Sequence, residues 1–486
     1  MNNRFFALIV GAAMSTSAFA GGLMTNTNQN ASFLRQMSQD AIIDVTGMYA
    51  NPAGTAFLEE GFHLSLNVQS AKQNRNITTT FPLFQYNVEN PSAAHKFHGE
   101  ALAPVIPSFQ LSYNWEKWSV GANFSIGGGG GKCEFDQGLG SFEALYAGQI
   151  YSNSPLIAGM VGANVQAAAG INPEYVFRGY SMNSYMKGRQ YYFGLQLGAT
   201  RKITDNLSAY LGLRGVYASC NYNGWVTDVN VYLHSTSEYA AMLGDYAEFT
   251  YKMKDNEIEL NCDQTGFGIT PIIGIDWKVN DHFNFAAKYE APTKMNLKNK
   301  TEMNDYAKGI ASKTLPDGTE NPNYNSTLGQ FADGEEVRED VPAMLFVGGQ
   351  YAPIEKLRLN AGWHYYFDKQ AKKYGDKQDL IDKNTMEFSA GVEFDACKFL
   401  TVSASWQCTR YRLSDEYMND LSFNNSSNAI GLGVRMHVAP KCNIDLGYMQ
   451  NMYHRKDVTM PTQAGPKSDH YFRTNRVFGV GVNLNL

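Results

Sequence analysis

Four cations, Arg214, Lys288, Arg358 and Arg435, stand on the polar register of period-two runs in which apolar and polar residues alternate. A cation in such a place can replace the hydration that a buried carboxylate loses. It can also pair with an acid on the same face, such as Glu387, Glu393 or Asp445, and this is the commoner fate of any one of them. A second set, Leu156, Ile157, Met160 and Val161, belongs to an apolar, small-residue stretch from Leu156 to Ala169 that suits the lining of a pocket for an apolar molecule. Catalytic motifs are missing: there is no G-x-S-x-G elbow, no P-loop and no histidine cluster at metal spacing, so neither metal nor cofactor is expected. His364 and His437 share the polar register without an obvious serine partner, and lone histidines of this kind are more often structural. The six cysteines include no CxxC pair. Cys220 and Cys262 fall at similar heights on runs joined by one connection, where a disulfide could form; two free thiols, or pairing with Cys133, are the alternatives.

The elements that would position these residues begin after an export signal. Residues 1–20 carry one cation, Arg4, an apolar run from Phe5 to Ala13, and the small-x-small sequence Ala18-Phe19-Ala20, the pattern of a cleaved signal peptide. That run is too short to span a bilayer as a helix, and no later stretch is long enough either. Charged residues make up 18% of the 486, below the roughly 25% usual in soluble proteins, while Tyr (29), Phe (28) and Gly (45) are abundant. This composition suits transmembrane strands with aromatic girdles and small lumen residues. Mean hydropathy is -0.34, against a helical membrane protein. A net charge of -6 without a basic block argues against a nucleic-acid partner.

From residue 61 the alternation is strict. Leu357, Leu359, Ala361, Trp363 and Tyr365 interleave with Arg358, Asn360, Gly362, His364 and Tyr366, and similar runs follow from Leu400, Ile430 and Val477. A soluble β-sandwich would alternate in the same way. Connection lengths separate the two. Tight turns at 115–118, 203–206, 279–282, 353–356, 395–398 and 439–442 alternate with long polar stretches at about 73–103, 128–188, 222–261, 300–340, 370–383, 413–424 and 456–470. Six turns and seven loops join fourteen strands, with one short and one elaborated end, as in outer-membrane barrels. The expected fold is all-β: a 14-stranded antiparallel transmembrane β-barrel over 61–486, preceded by a signal peptide (1–20) and a small, mostly helical plug (21–60). In that plug Leu34, Met37, Ala41, Ile42 and Val45 have near-helical spacing. Asn51-Pro52 reads as an N-cap before a first helical residue, so Asn51, Pro52 and Ala53 are expected to fix the segment in place.

Several of these residues resemble the FadL/TodX family of outer-membrane transporters for long-chain fatty acids and aromatic hydrocarbons. Asn51-Pro52-Ala53-Gly54 stands where that family has its NPA motif, after Ala41 and Asp44 in a similar stretch. The likeness continues through Pro107-Ser108-Phe109, Lys117-Trp118-Ser119-Val120-Gly121, Thr204-Asp205-Asn206-Leu207, Gly266-Phe267-Gly268 and Val341-Pro342-Ala343-Met344. It implies a plug inside the barrel, a pocket beneath the extracellular loops, and a kinked third strand through which substrate leaves sideways. The third strand here runs into five glycines, Gly127 to Gly131, which weaken ladder pairing. Gly127 and Gly128 are the candidate lateral portal, the alternative being a flexible loop start. The expectation is therefore a non-enzymatic, monomeric protein of the cell outer membrane, taking up a hydrophobic small molecule such as a long-chain fatty acid in contact with outer-membrane lipid. A general porin for polar solutes, or a barrel-embedded enzyme or adhesin, is the alternative.

Overall fold

The computed structural model describes residues 24–26, 29–170, 173–236, 244 and 247–486; the expected signal peptide lies outside them. Two short helices, α1 (Ala31–Arg35) and α2 (Gly47–Ala50), and a 3-10 turn (Pro52–Phe57) precede the sheet. Its first strands are β1 (Gly61–Thr80), β2 (Ala94–Trp115) and β3 (Trp118–Phe135), after which comes helix α3 (Gly140–Ala169). There follow β4 (Tyr175–Lys202), β5 (Leu207–Ser235), β6 (Glu248–Lys252), β7 (Ile258–Lys278), β8 (Phe283–Glu290) and β9 (Asn296–Met303). Next are β10 (Glu336–Arg338), β11 (Met344–Ile354), β12 (Leu357–Tyr366), β13 (Ile381–Cys397) and β14 (Leu400–Leu413). The series ends with β15 (Ser427–Ala439), β16 (Cys442–Tyr453), β17 (Lys456–Met460) and β18 (Lys467–Asn485).

These segments make fourteen wall strands, because four of the strands are interrupted. β6 and β7 share β5 as a neighbour, β8 and β9 share β7, and β16 and β17 share β18. β10 pairs with β9 and β11 with β8, so these two also form one line. Every pairing is antiparallel, and β1 bonds both β2 and β18, which closes the ring. The six expected turns all connect strands at one end. The loops at the other end are shorter than the polar stretches suggested, since β4 and β5 run 28 and 29 residues. Polar strands there keep pairing because their backbone groups are better satisfied in a ladder than in a loop.

Alternation sorts the two faces as expected. Val402 and Trp406 face outward while Thr401, Ser403, Ser405 and Gln407 are buried inside. Leu66, Leu197, Leu211, Ile273, Leu432 and Val480 belong to an apolar outer band, and Tyr113, Trp115, Trp118, Trp277, Phe283 and Tyr351 ring its turn end. The segment before β1 is less helical than its spacing implied: α1 has five residues and α2 four. Its backbone groups bond instead to inward-facing side chains of the wall, which removes the need for a long helix.

Candidate functional site

Toward the turn end, the lumen is tied to the pre-barrel segment by buried polar pairs. Asn51 caps the 3-10 turn, its Oδ1 accepting from Gly54 N at 3.2 Å, and its Nδ2 donates to Asp276 on β7 at 2.5 Å. Pro52 O accepts from Thr200 at 2.9 Å and Ala53 O from Ser208 at 2.7 Å. The Asn-Pro-Ala triplet therefore contacts β4, β5 and β7 and is buried. Arg35 reaches Asp445 at 3.0 Å, Ser403 at 2.6 Å and also Glu393. His364 lies between Asp40 (2.9 Å) and Glu387 (3.2 Å).

All four cations singled out in the sequence are engaged here. Arg214 forks onto Glu290 at 2.5 and 2.9 Å and bonds Gln196 at 2.7 Å. Lys288 bonds Glu290 and Tyr49 O, both at 2.7 Å. Arg358 forks onto Asp395 at 2.8 and 2.7 Å, and Arg435 onto Asp445 at 2.8 Å while touching Asp44 at 2.5 Å. The expectation that they line a substrate pocket thus gives way to ion pairing, because a desolvated cation needs a full set of acceptors. Asp40, which the pre-barrel segment supplies to His364, carried no sequence signal beyond its charge, and Asp44 carried only its place ahead of the Asn-Pro-Ala triplet.

Toward the loop end the inward face becomes apolar. Tyr192, Val216, Met295, Phe346, Tyr366 and Tyr471 are buried in one cluster. Following the lumen register upward along β5 from Arg214 to Val216 and Ala218 would have revealed this change. Within it, Arg473 on β18 stands opposite Arg75 on β1. The Arg473 guanidinium lies 4.0 Å from the Tyr453 ring centroid, reaches Asn424 Oδ1 and Phe423 O only at 3.4 and 3.5 Å, and has no carboxylate partner among the described residues.

The glycine run lies within β3, not at a loop start. Its ladder with β2 stops at Phe109–Phe124 and resumes at Leu102–Lys132, leaving residues 103–108 and 125–131 unpaired across the gap. Pro104 and Pro107 offer no N–H there, and Gly129 has φ +81°, a left-handed conformation that glycine tolerates. A hollow of about 540 Å³ opens on the outer face beside it, lined by Leu66, Val68, Pro107, Phe109, Phe124 and Val480 together with inward-register Asn67 and Ser108. Ser108 bonds Gln29 O, and Asn67 accepts from Ala31 N at 3.0 Å, so the pre-barrel segment borders the gap from within.

No protein-family model and no curated protein sequence matches the chain. Solved structures do. A FadL homologue from Pseudomonas aeruginosa is 15% identical with a TM-score of 0.62, covering 96% of this chain and 100% of that one. The toluene transporter TodX of P. putida is 11% identical (TM-score 0.52; 95% and 97% covered), and TbuX, the Ralstonia pickettii toluene transporter, 13% (0.51; 94% and 98%). The chain has the FadL/TodX barrel fold.

In this FadL/TodX-type barrel the loop end is covered by α3, a helix where a loop was expected. Ile157 and Val161 pack inward one turn apart, whereas Leu156 is exposed and Met160 half-buried, so the four expected lining residues divide between two faces. Glu143, near the start of α3, accepts from Asn87 at 2.8 Å, Tyr180 at 3.0 Å and His95 at 2.7 Å. Burial opposes a charge on His95, but Glu143 outweighs it and raises the imidazole above its ordinary 6.5. A raised folded value means that the tie is at full strength below about 6.5 and is lost as pH climbs through the higher value. Proteolysis within residues 136–174 should therefore be slower at mildly acidic than at alkaline pH, and Glu143→Gln should remove that difference. A pH response that survives in the variant would disconnect it from this pair.

The expected Cys220–Cys262 disulfide is not formed, and both thiols are free. Cys220 stands opposite Gln264, and Cys262 opposite Tyr222. They are diagonal neighbours, for which Cβ atoms lie about 7 Å apart, beyond the roughly 4 Å that a disulfide requires.

Proposed function

We propose that this protein carries hydrophobic small molecules passively across the outer membrane, with residues 21–60 acting as a plug and the β2–β3 gap as a sideways exit. The observation that carries this reading is the gap itself, a wall opening beside an apolar outer hollow in a barrel whose turn end is crossed by tied-down chain. The outer band of Leu66, Leu211, Ile273 and Leu432, ringed by aromatic residues at its turn end, fits a bilayer core. An apolar molecule leaving through the gap stays in an apolar medium, whereas axial exit would expose it to water at roughly 0.8 kcal/mol per methylene. The FadL homologue and the toluene transporters are proteins of the same fold.

Uptake of a fluorescent hydrophobic probe by outer-membrane vesicles, measured beside single-channel conductance, tests the proposal. Full-length protein should take up the probe and stay electrically quiet, and deletion of residues 24–50 should open a wide pore. Steady wide-pore conductance by the intact chain would sink the plug.

Head-group preference is separable from this. Arg473 is the lumen cation best placed to meet a carboxylate, so Arg473→Gln should lower uptake of a long-chain fatty acid several-fold and leave toluene uptake unchanged. Equal loss of both would assign Arg473 a packing role.

A further inference from the structure

On the outer face, one register row crosses β18, β1, β2, β3 and β4 as Arg476, Lys72, Leu102, Lys132 and Arg189. All four cations point away from the lumen: their strand neighbours Gln190 and Val477 are buried inside, and Arg476, Lys72 and Lys132 are exposed. Each marks the end of the apolar band on its own strand. Phe478 and Val480 follow Arg476 toward the turn end, Val68 and Leu66 lie below Lys72, Ile126 and Phe124 below Lys132, and Tyr191 and Phe193 below Arg189.

The positive charge is local. The next residue of the row is Gln450 on one side and Asn221 on the other, and Asn221 bonds Asp263 at 2.9 Å. Two carboxylates stand just above the row. Glu100 is 3.0 Å from Lys72, and Glu134 pairs with Lys132 and accepts from Tyr185 at 2.5 Å. Arg476 and Arg189 have no carboxylate partner among the described residues, and Lys187, one row higher beside Glu134, adds a fifth cation. Leu102–Lys132 is also the first closed pair on the loop side of the β2–β3 gap.

We infer that this row binds the phosphorylated head group of an outer-leaflet lipid, whose chains then lie along the apolar strands beside the gap. The inference rests on the outer-membrane reading above. A cation at the edge of a bilayer-facing band meets the layer where lipid phosphates sit, and guanidinium and ammonium groups are the side chains that recognise phosphate. Four of them across five adjacent strands match an amphiphile with a charged head and several chains, since apolar side chains lie next below Arg476 and Arg189 and follow beyond Ser70 on β1 and the glycine run on β3. Free inorganic phosphate would have no use for the apolar part.

The test uses full-length protein purified from outer membranes in a phosphate-free detergent, with bound lipid detected by native mass spectrometry. Wild-type protein should retain bis-phosphorylated lipid A. The variant K72Q/K132Q/R189Q/R476Q should lose roughly tenfold or more in affinity, and lipid A stripped of phosphate should bind the wild type no better than the variant. Equal retention by wild type and variant overturns the site, and displacement of the lipid by millimolar inorganic phosphate overturns the lipid as its ligand. Hydrophobic-probe uptake and heat-modifiable migration should be unchanged in the variant. If the glutamine variant fails to fold, K72R/K132R/R189K/R476K, which keeps every charge, should restore both folding and lipid retention. Absence of the wild-type protein from the outer-membrane fraction would overturn the location on which the inference depends.

Discussion

Arg35→Ala should turn an electrically quiet barrel into one that opens frequently. Arg35 is buried, and it bonds Asp445 at 3.0 Å, Ser403 at 2.6 Å, Ser32 at 3.3 Å and also Glu393. Without it Asp445 keeps Arg435 and Asn483, at 2.8 and 2.7 Å, but among the described residues the ion pair left to Glu393 is the long one with Arg358 at 3.5 Å. Breaking a buried pair by removing one partner costs about 3–5 kcal/mol. Because 1.4 kcal/mol is a factor of ten, the displaced state of the segment should rise by at least a hundredfold. The wall itself is held by its own ladders, so heat-modifiable migration should persist while planar-bilayer recordings show new openings. Adding Glu393→Gln removes the stranded charge and should quieten the channel again. A silent Arg35→Ala protein would mean that the segment is anchored elsewhere, and the Asn51–Asp276 contact would be the next place to look.

The second large effect is expected at the gap. A Cβ at Gly127 would meet Met24 Cε at 3.5 Å, an ordinary contact, so a side chain fits there and narrows the passage. Gly127→Val with Gly128→Val should lower hydrophobic-probe uptake by roughly an order of magnitude, since β-branched residues favour regular strand pairing. Gly129 differs: at φ +81° its Cβ would lie 2.4 Å from Gln190 O, so substitution there strains the backbone and should reduce assembly as well. The two outcomes separate a blocked exit from a misfolded wall. Normal uptake in the Gly127/Gly128 variant would move the exit away from this gap.

How much of this could be read in advance follows from the range of the forces involved. The runs from Leu357 and Leu400 showed their outward faces because a pleated strand alternates regardless of what surrounds it. The glycine run showed weakness without showing which ladder would fail. That depends on β2 as well, where Pro104 and Pro107 lie opposite. The apolar stretch from Leu156 was legible as chain suited to line a pocket, but its division between buried Ile157 and exposed Leu156 follows from helical geometry that only the packed α3 fixes.

By itself the sequence determined the strand period, the six turns, the ring of fourteen strands and the aromatic girdle, because each follows from contacts between near neighbours or from the preference of one face for an apolar medium. The tertiary structure alone decided which charges meet. Asp40 finds His364 across 324 positions, and Asp44 finds Arg435 across 391, once the ring closes and the first segment packs against its inner face. A buried charge is stable only beside its partner, and no local pattern says which strand will bring that partner round.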